Sequence, residues 1–274
     1  MKEINYRLII SDYDNTLTNG KNQVPKEVKN AITEYVNCGG IFAICTGRML
    51  CSILPQAKKL GLKGIVAANQ GIVIADINSG KLLKNGGMSA KETAQVCRAI
   101  EKLNQPINLY SGDNLYTDIP KNNKYLKKYE KIVNVKSIHI DGKISEFAQR
   151  SDFTYQKVAI LIDPKERQRV YDILNAELGN KFDVTCSADV LVEVSPYGET
   201  KGKAVEFLAE YFNVPIDKTI AVGDNLNDLS MVQAAGIGVC VGNGVEELKQ
   251  AADYVSLPSN KGGIAQIIAR YGFV

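Results

Sequence analysis

Histidine is nearly absent from this sequence, which has a single copy, His139, among its 274 residues. It lies in an alternating stretch far from any other candidate metal ligand, so we interpret it as a structural or surface residue. One isolated histidine argues against histidine-based catalysis and against a histidine-rich zinc site. Any catalytic chemistry therefore has to come from other side chains.

Cysteine spacing typical of a metal or redox motif is also missing, because no two cysteines form a Cys-x-x-Cys pair. Several cysteines occur in apolar runs, as expected for reduced and mostly buried thiols in a cytosolic protein. The six are Cys38, Cys45, Cys51, Cys97, Cys186 and Cys240. This pattern predicts a cytoplasmic location.

A strong excess of charge of one sign is missing as well, since the net charge is only +3. Nucleic-acid and membrane-surface partners require a concentrated basic face, so neither is expected. No apolar run approaches the roughly 20 residues that span a bilayer. Residues 1–11 do not resemble a secretory signal, because they contain no long apolar stretch before a small-residue cleavage site.

Short, continuous apolar runs alternate with helical patterns in the first part of the chain. Such runs are typical of strands buried on both faces, as in parallel sheets. Strands are predicted at Leu8–Ile10, Ile41–Cys45 and Ile65–Ala68, with helices at Pro25–Val36 and Met49–Leu60 between them. This order predicts an α/β fold with a doubly wound, Rossmann-like parallel sheet and right-handed crossovers.

The same alternation returns near the end of the chain, whereas the middle differs. Ser89 and Glu92 have the spacing of a capping box at the start of a helix. A hairpin is predicted around Gly112, and further strands and a helix follow up to Val194. We therefore predict an α+β cap domain at 85–193, inserted between two halves of the core at 1–84 and 194–274.

Polar residues follow four of the apolar runs, at the point where each predicted strand ends. Ligands of an open parallel sheet bind outside the carboxyl ends of its strands, so these residues are candidates for a site. Lys201, at the head of a predicted helix, can join them. The strand-end residues are Asp12, Asp14, Thr46, Gly47, Asn69, Asp224, Asn227 and Asp228.

Four aspartates at one edge of a sheet would repel one another and raise one another's pKa values. A divalent cation relieves this repulsion, and oxygen ligands with a substrate phosphate suit Mg²⁺. Lys201 adds a positive charge for a phosphate, and Thr46 adds a hydroxyl and a backbone donor. These are the components that phosphoryl transfer requires.

Taken alone, each of these pieces has an ordinary structural explanation. An Asp-x-Asp pair after a strand is usually a turn or a helix cap, and a lone lysine is usually on the surface. Asp224 and Asp228 could likewise belong to a turn before a helix. Their order along the chain, each at a strand end or helix head, favours a shared chemical role.

In this order the residues resemble the haloacid dehalogenase superfamily, and within it the Cof-type phosphatases of subclass IIB with a large α/β cap. The resemblance covers essentially the whole chain. It is carried by four segments that are similar to the four motifs of the family: Asp12–Leu17, Cys45–Arg48, Thr200–Gly202 and Gly223–Asp228.

The resemblance implies a hydrolase that removes phosphate from small phosphorylated metabolites, such as sugar phosphates, through an aspartyl-phosphate intermediate. It implies that Asp12 is the nucleophile and that Asp14 is the general acid and base. It also implies Mg²⁺, held by the Asp12 and Asp224 carboxylates and the Asp14 backbone carbonyl, with Asp228 supporting or completing the shell. The implied phosphoryl-binding residues are Tyr13 (through its backbone N–H), Thr46, Gly47, Lys201 and Asn227.

Two positions depart from the pattern of the family. Asn15 follows Asp14 where glycine is common, and asparagine is the residue other than glycine that best tolerates positive φ. Gln70 follows Asn69 where glycine is frequent, and it could alter substrate access. Neither departure changes a predicted catalytic side chain.

The inserted domain would be a cap that closes over the site and excludes water. By location alone, five of its residues are candidates for selecting the leaving group, although packing or solvent exposure is the simpler explanation for each. They are Tyr110, Tyr116, Lys157, Ser187 and Glu193. We expect a monomer.

Two other functions remain compatible with the sequence. A phosphomutase or phosphotransferase on this scaffold would return the phosphoryl group to a sugar, but no feature of the sequence requires it. A non-catalytic phosphate-binding module or a receiver-like domain also places acidic residues, a threonine and a lysine on a parallel sheet. A receiver would be much shorter and would lack an equivalent of Asp14.

Overall fold

The computed structural model describes residues 2–21, 23–62, 64–188 and 190–274, and the chain divides into two compact units. The core unit comprises Met1–Gly47, Ile53–Leu83 and Thr200–Val274, and the inserted unit comprises Arg48–Ser52 and Lys84–Glu199. The predicted boundaries follow residues 84 and 193, whereas these units divide after Leu83 and Glu199. The domain assignment itself stays a prediction.

The elements of the described residues are numbered in chain order. The strands are β1 (Leu8–Ser11), β2 (Ile41–Cys45), β3 (Ile65–Ala68), β4 (Val73–Asp76), β5 (Leu82–Asn85), β6 (Asn108–Ser111), β7 (Asn114–Thr117), β8 (Ser137–His139), β9 (Lys157–Leu161), β10 (Phe182–Ala188), β11 (Leu191–Pro196), β12 (Thr219–Gly223), β13 (Ile237–Cys240) and β14 (Tyr254–Val255). The α-helices are α1 (Lys26–Asn37), α2 (Leu50–Lys59), α3 (Ala90–Glu101), α4 (Lys124–Val133), α5 (Ile144–Arg150), α6 (Pro164–Leu178), α7 (Lys201–Tyr211), α8 (Leu229–Ala234), α9 (Glu246–Ala251) and α10 (Gly263–Ile267).

The core sheet has the strand order β14-β13-β12-β1-β2-β3-β4-β5. Its strands from β14 to β3 are parallel to their neighbours. Consecutive residues are buried along β1, β2 and β12, so both faces of the central sheet are covered. This is what their apolar runs predict. The predicted doubly wound α/β core is therefore confirmed.

Two strands of this sheet, β4 and β5, were not predicted. The chain reverses between β3 and β4, which pair antiparallel. The reversal uses three successive residues with positive φ: Asn69 (48°), Gln70 (62°) and Gly71 (96°). A Cβ on Gly71 would lie 2.5 Å from the Cβ of Ala204, so glycine is required where this turn approaches α7.

The inserted unit contains a second sheet, with the order β10-β11-β9-β6-β7-β8. Its pairs are antiparallel except for the parallel pair β7–β8. Apolar residues of α3, α5 and α6 pack on one face of this sheet. The predicted α+β character of this segment and the hairpin around Gly112 are confirmed.

The start of α3 has the predicted capping box. The Glu92 N–H donates to the Ser89 hydroxyl oxygen at 3.3 Å, and the Ser89 N–H donates to the Glu92 carboxylate at 2.8 Å. Helices α4 and α5 and strand β8 were not predicted. The α4 segment is rich in lysine, and its start is visible in Asn123, whose side chain accepts from two backbone N–H groups.

The six cysteines are free, and Cys45, Cys97 and Cys240 are buried while the others are partly exposed. The free thiols agree with the prediction of reduced cysteines, but only half of the six are buried, where most were expected to be. His139 is partly exposed on β8. In the described part of the chain, no helix combines the length and apolar character that crossing a membrane requires.

Candidate active site

The first loop of the site begins where β1 ends. The Asp12 N–H donates to the Val222 carbonyl at 2.9 Å, which continues the pairing of β1 with β12 by one residue. After Asp12, the Tyr13–Leu17 segment forms a short helical turn that is interrupted at two residues. Asp14 is extended, and Asn15 is left-handed with φ of 57°. The asparagine thus adopts the conformation that makes glycine common at this position.

Lys201 is the first residue of α7, and its side chain is buried rather than on the surface. It is 1% exposed. Its ammonium donates to Oδ1 of Asp12 at 2.5 Å and to Oδ1 of Asp228 at 2.6 Å. Burial opposes its charge, but attraction by these two carboxylates outweighs burial and raises the pKa of Lys201. Lys201 therefore stays protonated and links the first and fourth motifs.

Asp228 is fully buried, and both of its oxygens accept hydrogen bonds. Oδ1 accepts from Lys201, and Oδ2 accepts from the backbone N–H groups of Asp224 at 2.9 Å and Asn225 at 3.0 Å. A Cβ on Gly223 would lie 2.3 Å from the Cβ of Asp228, so this loop can close only around glycine. Asp228 thereby shapes the loop that carries Asp224 and orients Lys201.

Asp224 lies beside the first loop, where its Oδ1 accepts from the Thr16 hydroxyl at 2.9 Å. Burial raises the pKa of Asp224 to about 6, and repulsion by Asp228 acts in the same direction. For Asp12, burial raises the pKa well above its usual value, although the Lys201 ammonium opposes the shift. Both groups are thus costly to ionise unless more positive charge is present.

The residues present fit a divalent cation. One oxygen from each of Asp12, Asp224 and Asp228 lies within 4.8 Å of the others. In the ion pairs that the structure describes, these carboxylates face one ammonium, that of Lys201, so ionisation of all three leaves two negative charges in excess within this group. All the donor atoms are oxygens, which Mg²⁺ prefers. Because both oxygens of Asp228 are engaged, Asp12 and Asp224 are the better placed ligands.

The second motif lies at the same edge of the sheet. Ser11 pairs with Ile44 in the β1–β2 register, so Asp12 and Cys45 are the next residues along the two strands and Thr46 follows. Burial raises the pKa of the Cys45 thiol to about 12. This thiol also feels the charges of Lys201, Asp12 and Asp228, which shows that the second motif lies close to them. Thr46 is buried, and its N–H donates to the Ala67 carbonyl at 2.9 Å.

Gly47 lies against the turn after β3. A Cβ on Gly47 would lie 3.0 Å from the Gln70 side-chain nitrogen, and the Gln70 N–H donates to the Thr46 carbonyl at 2.9 Å. The turn that contains Gln70 is therefore in direct contact with Thr46 and Gly47 of the second motif. This contact gives Gln70, which departs from the family pattern, a specific place in the site.

The contacts of the site bring together Asp12, Lys201, Asp224 and Asp228 directly, and the sheet register adds Thr46 and Gly47. Three other predicted residues lie on the same loops. Tyr13 is buried, whereas Asp14 and Asn227 are partly exposed. The roles assigned to all of them stay predictions.

Thr16 was predicted only as part of the first motif, and its contact with Asp224 was not foreseen. Its hydroxyl bond to Asp224 joins residues 208 positions apart in the chain. Gly223 is a second residue whose role was not foreseen. Because it has no side chain, Asp228 can turn inward. The signal for both was present in the motifs, but the partner of each residue depends on the tertiary structure.

Comparison with known proteins relates almost the entire chain to one family. The family model described as haloacid dehalogenase-like hydrolase matches residues 9–268. Phosphatase YwpJ of Bacillus subtilis (strain 168) is 30% identical, with 96% of this chain and 98% of that protein covered.

Solved structures give the same relationship. A haloacid dehalogenase-like hydrolase from B. subtilis superposes with a TM-score of 0.84 at 27% identity, covering 96% of this chain and 99% of that one. The subclass IIB sugar phosphatase BT4131 superposes with a TM-score of 0.82, covering 98% of this chain and 100% of that one. Its identity of 22% makes it evidence for the fold alone.

Proposed function

Because the chain belongs to the haloacid dehalogenase-like hydrolase family, we propose that it is a Mg²⁺-dependent phosphatase of small phosphorylated metabolites. The predicted membership of the haloacid dehalogenase superfamily is confirmed, as is the prediction of an enzyme of the hydrolase class. We further propose that the chain belongs to the Cof-type group of subclass IIB. The phosphatase activity and its substrates are the part that we propose.

The observation that carries the proposal is the buried ammonium of Lys201 shared by Asp12 and Asp228. It fixes Oδ1 of Asp12 and keeps a positive charge beside the carboxylate that is to react. Transfer of a phosphoryl group needs such a charge close to the phosphoryl oxygens, because negative charge is spread over them in the transition state. A purely structural ion pair would not need a second buried carboxylate.

In the proposed reaction, the Asp12 carboxylate attacks phosphorus, and the bond from phosphorus to the alcohol oxygen breaks. The leaving oxygen takes the proton of Asp14, and the phosphoryl group stays on Asp12 as an acyl phosphate. Water then attacks the phosphorus while Asp14 takes back a proton. The bond from phosphorus to Asp12 breaks, which releases inorganic phosphate and restores both aspartates.

The phosphoryl oxygens would be bound by Lys201, by the Thr46 hydroxyl and by backbone N–H groups at Tyr13 and Gly47, with Asn227 as a further donor. Mg²⁺ would be held by the Asp12 and Asp224 carboxylates and the Asp14 carbonyl, with Asp228 in support. When bound, Mg²⁺ neutralises the excess negative charge of the carboxylates and of the substrate phosphate.

Sugar phosphates are the first substrates to test, since sugar phosphatase is the name of the structural relative BT4131. The fold accommodates other chemistries, so the panel should also include polyol phosphates and p-nitrophenyl phosphate. The expectation of a cytoplasmic monomer stays a prediction.

The test is phosphate release from this panel, with Mg²⁺ or with EDTA, by wild type and by Asp12→Asn. Asp217→Asn is the matched control, because Asp217 is an exposed aspartate of the core unit. We expect release that requires both the metal and Asp12 and that Asp217→Asn retains. Turnover by Asp12→Asn would rule out this nucleophile, and isomerised substrate without free phosphate would indicate a mutase instead.

A further inference from the structure

Asn243 lies in the loop that follows β13, between Gly242 and Gly244. Its side-chain amide is engaged at both ends. The Nδ2 group donates to the backbone carbonyl of Asn15 at 2.9 Å, and Oδ1 accepts from the Ser259 N–H at 2.7 Å. An asparagine is suited to both contacts, because its short side chain carries an NH₂ donor group and a carbonyl acceptor.

The loop that carries Asn243 is itself held in place. A Cβ on Gly242 would lie 2.9 Å from the backbone nitrogen of Pro258, and a Cβ on Gly244 would lie 2.9 Å from the carbonyl oxygen of Asp224. The Val245 N–H donates to that same carbonyl at 2.9 Å. The loop is therefore packed against the backbone of the fourth motif, and it is a fixed support for Asn243.

The residue that Asn243 contacts follows Asp14 directly. At Asn15 the backbone turns into the left-handed region, whereas Asp14 is extended with ψ of 128°. The next residue, Thr16, is bonded through its hydroxyl to Asp224. The two residues after Asp14 are thus tied to two different loops of the core unit, which restricts the positions that the Asp14 carboxyl can take.

We propose that Asn243 is a positioning residue for Asp14. By holding the Asn15 carbonyl, it keeps the Asp14 carboxyl where its proton reaches the leaving oxygen. The inference rests on the proposed function, in which Asp14 is the general acid. Asn243 is exposed, so its contribution is the orientation of the loop and not the burial of apolar surface.

This role predicts a dependence on the leaving group. An alkoxide is a much stronger base than p-nitrophenolate, so an alkyl phosphate depends on proton transfer from Asp14 and p-nitrophenyl phosphate depends on it far less. A misplaced acid therefore slows alkyl esters selectively. Damage to the nucleophile, the metal site or the fold slows both kinds of ester together.

The test compares kcat/KM of Asn243→Ala and Asn243→Asp with wild type. The two substrates are p-nitrophenyl phosphate and the alkyl ester that wild type hydrolyses fastest in the panel. We expect the loss on the alkyl ester to exceed the loss on p-nitrophenyl phosphate by about 10-fold or more. Asn243→Asp keeps an acceptor for Ser259 but faces the Asn15 carbonyl with an oxygen, so it should show the same selectivity. Asn78→Ala, an exposed asparagine in a turn of the core unit, is the control.

A second arm combines Asn243→Ala with Asp14→Asn. If Asn243 acts through Asp14, adding Asn243→Ala to Asp14→Asn should lower alkyl ester hydrolysis by less than about twofold. Equal losses on both esters, or losses that multiply in the double variant, would overturn this inference and leave the phosphatase proposal intact. If wild type releases phosphate from no ester, the phosphatase proposal fails, and the inference fails with it. If Asn243→Ala does not fold, as judged by thermal melting, Asn243→Asp decides the question.

Discussion

The core unit and the inserted unit each bury a lysine, and the two lysines have different surroundings. Lys201 of the core unit bonds two carboxylates, Asp12 and Asp228, with Asp224 close to both. Lys157 of the inserted unit pairs with Glu193 at 2.5 Å and lies 4.7 Å from the centre of the Tyr110 ring. Both lysine side chains are almost inaccessible to solvent.

The difference lies in the balance of charge. At Lys157 the described ion pair contains one positive and one negative group, and attraction by Glu193 outweighs burial and raises the pKa of Lys157. Around Lys201, the described cluster contains three carboxylates and one ammonium, so negative charges outnumber positive ones when all are ionised. A buried pair with balanced charges needs no further ion, whereas an excess of carboxylates is stable only when protons or a cation neutralise it. The carboxylate cluster at Lys201 therefore has the excess negative charge that a cation would neutralise, as the proposed function requires, whereas the described pair at Lys157 does not.

The largest expected effect is that of Lys201→Met. Removing the ammonium leaves Asp12 and Asp228 without their counter-charge and removes a charge from the phosphoryl site. We expect turnover to fall at least about 10³-fold and the free energy of unfolding without metal to fall by about 3–5 kcal/mol. Phosphate release and urea denaturation measure the two effects.

Lys203→Met is the matched control, because Lys203 lies two residues further along α7 and forms an exposed pair with Glu206. We expect it to change the free energy of unfolding by at most about 1 kcal/mol. A Lys201→Met protein that keeps more than about a tenth of its turnover would contradict the role of this charge in the transition state.

The next effect concerns the inserted unit. Lys157→Met leaves Glu193 buried without its partner, and we expect a loss of about 3–5 kcal/mol in the free energy of unfolding. The double variant Lys157→Met/Glu193→Leu removes both charges, so it should lie within about 1–2 kcal/mol of wild type. Urea denaturation of the wild type, both single variants and the double variant gives the coupling between the two groups. A double variant whose loss equals the sum of the two single losses would show that Lys157 and Glu193 are not energetically coupled.

Mg²⁺ should distinguish the two units directly. A ligand that binds only the folded state at 100 times its dissociation constant stabilises by about 2.7 kcal/mol. We expect a stabilisation of this order for wild type and for Glu193→Gln, because Glu193 does not belong to the cluster of Asp12, Asp224 and Asp228. Asp224→Asn should show a smaller stabilisation. Thermal melting with increasing Mg²⁺ measures this, and an equal shift for Asp224→Asn would exclude Asp224 as a ligand.

The smallest effect is on the pH dependence of the metal-free protein. Asp224 has a pKa of about 6 in the folded state, which is above its unfolded value. The folded state therefore binds this proton more tightly, and stability rises as pH falls from about 7 to about 4. Relative to Asp224→Asn, wild type should gain about 1–2 kcal/mol over this range. Denaturation in EDTA at several pH values tests this, and a difference of opposite sign would show that Asp224 is stabilised as a carboxylate.

The substrate-selecting residues predicted in the inserted unit have ordinary structural surroundings. Tyr110, Lys157 and Glu193 are buried, and Tyr116 packs with Phe147 and Phe153. The structure does not describe the side chain of Ser187. Their part in selecting a leaving group stays a prediction.

Much of the fold was predictable, because the strands of the core are continuous apolar runs that end in polar residues. Strand β4 has the same signal, because its apolar run at 73–75 ends in Asp76, and it was nevertheless not predicted. Strand β4 begins almost immediately after β3, and the reversal depends on three left-handed residues, two of which are not glycine. Helix α4 is dominated by charged and aromatic residues, but its sequence is strongly amphipathic, so the signal for this helix was present and was overlooked.

The sequence by itself determined which chemical groups stand at the carboxyl edge of the core sheet, since the period and length of each apolar run decide where a strand ends. Only the tertiary structure decided how those groups are paired. Lys201 reaches Asp12 across 189 positions of the chain and Asp228 across 27, and Asn243 reaches Asn15 across 228. Such pairings depend on strand order and register, which come from the packing of the whole unit. A local pattern identifies an aspartate at a strand end, but only the folded sheet determines which cation lies beside it.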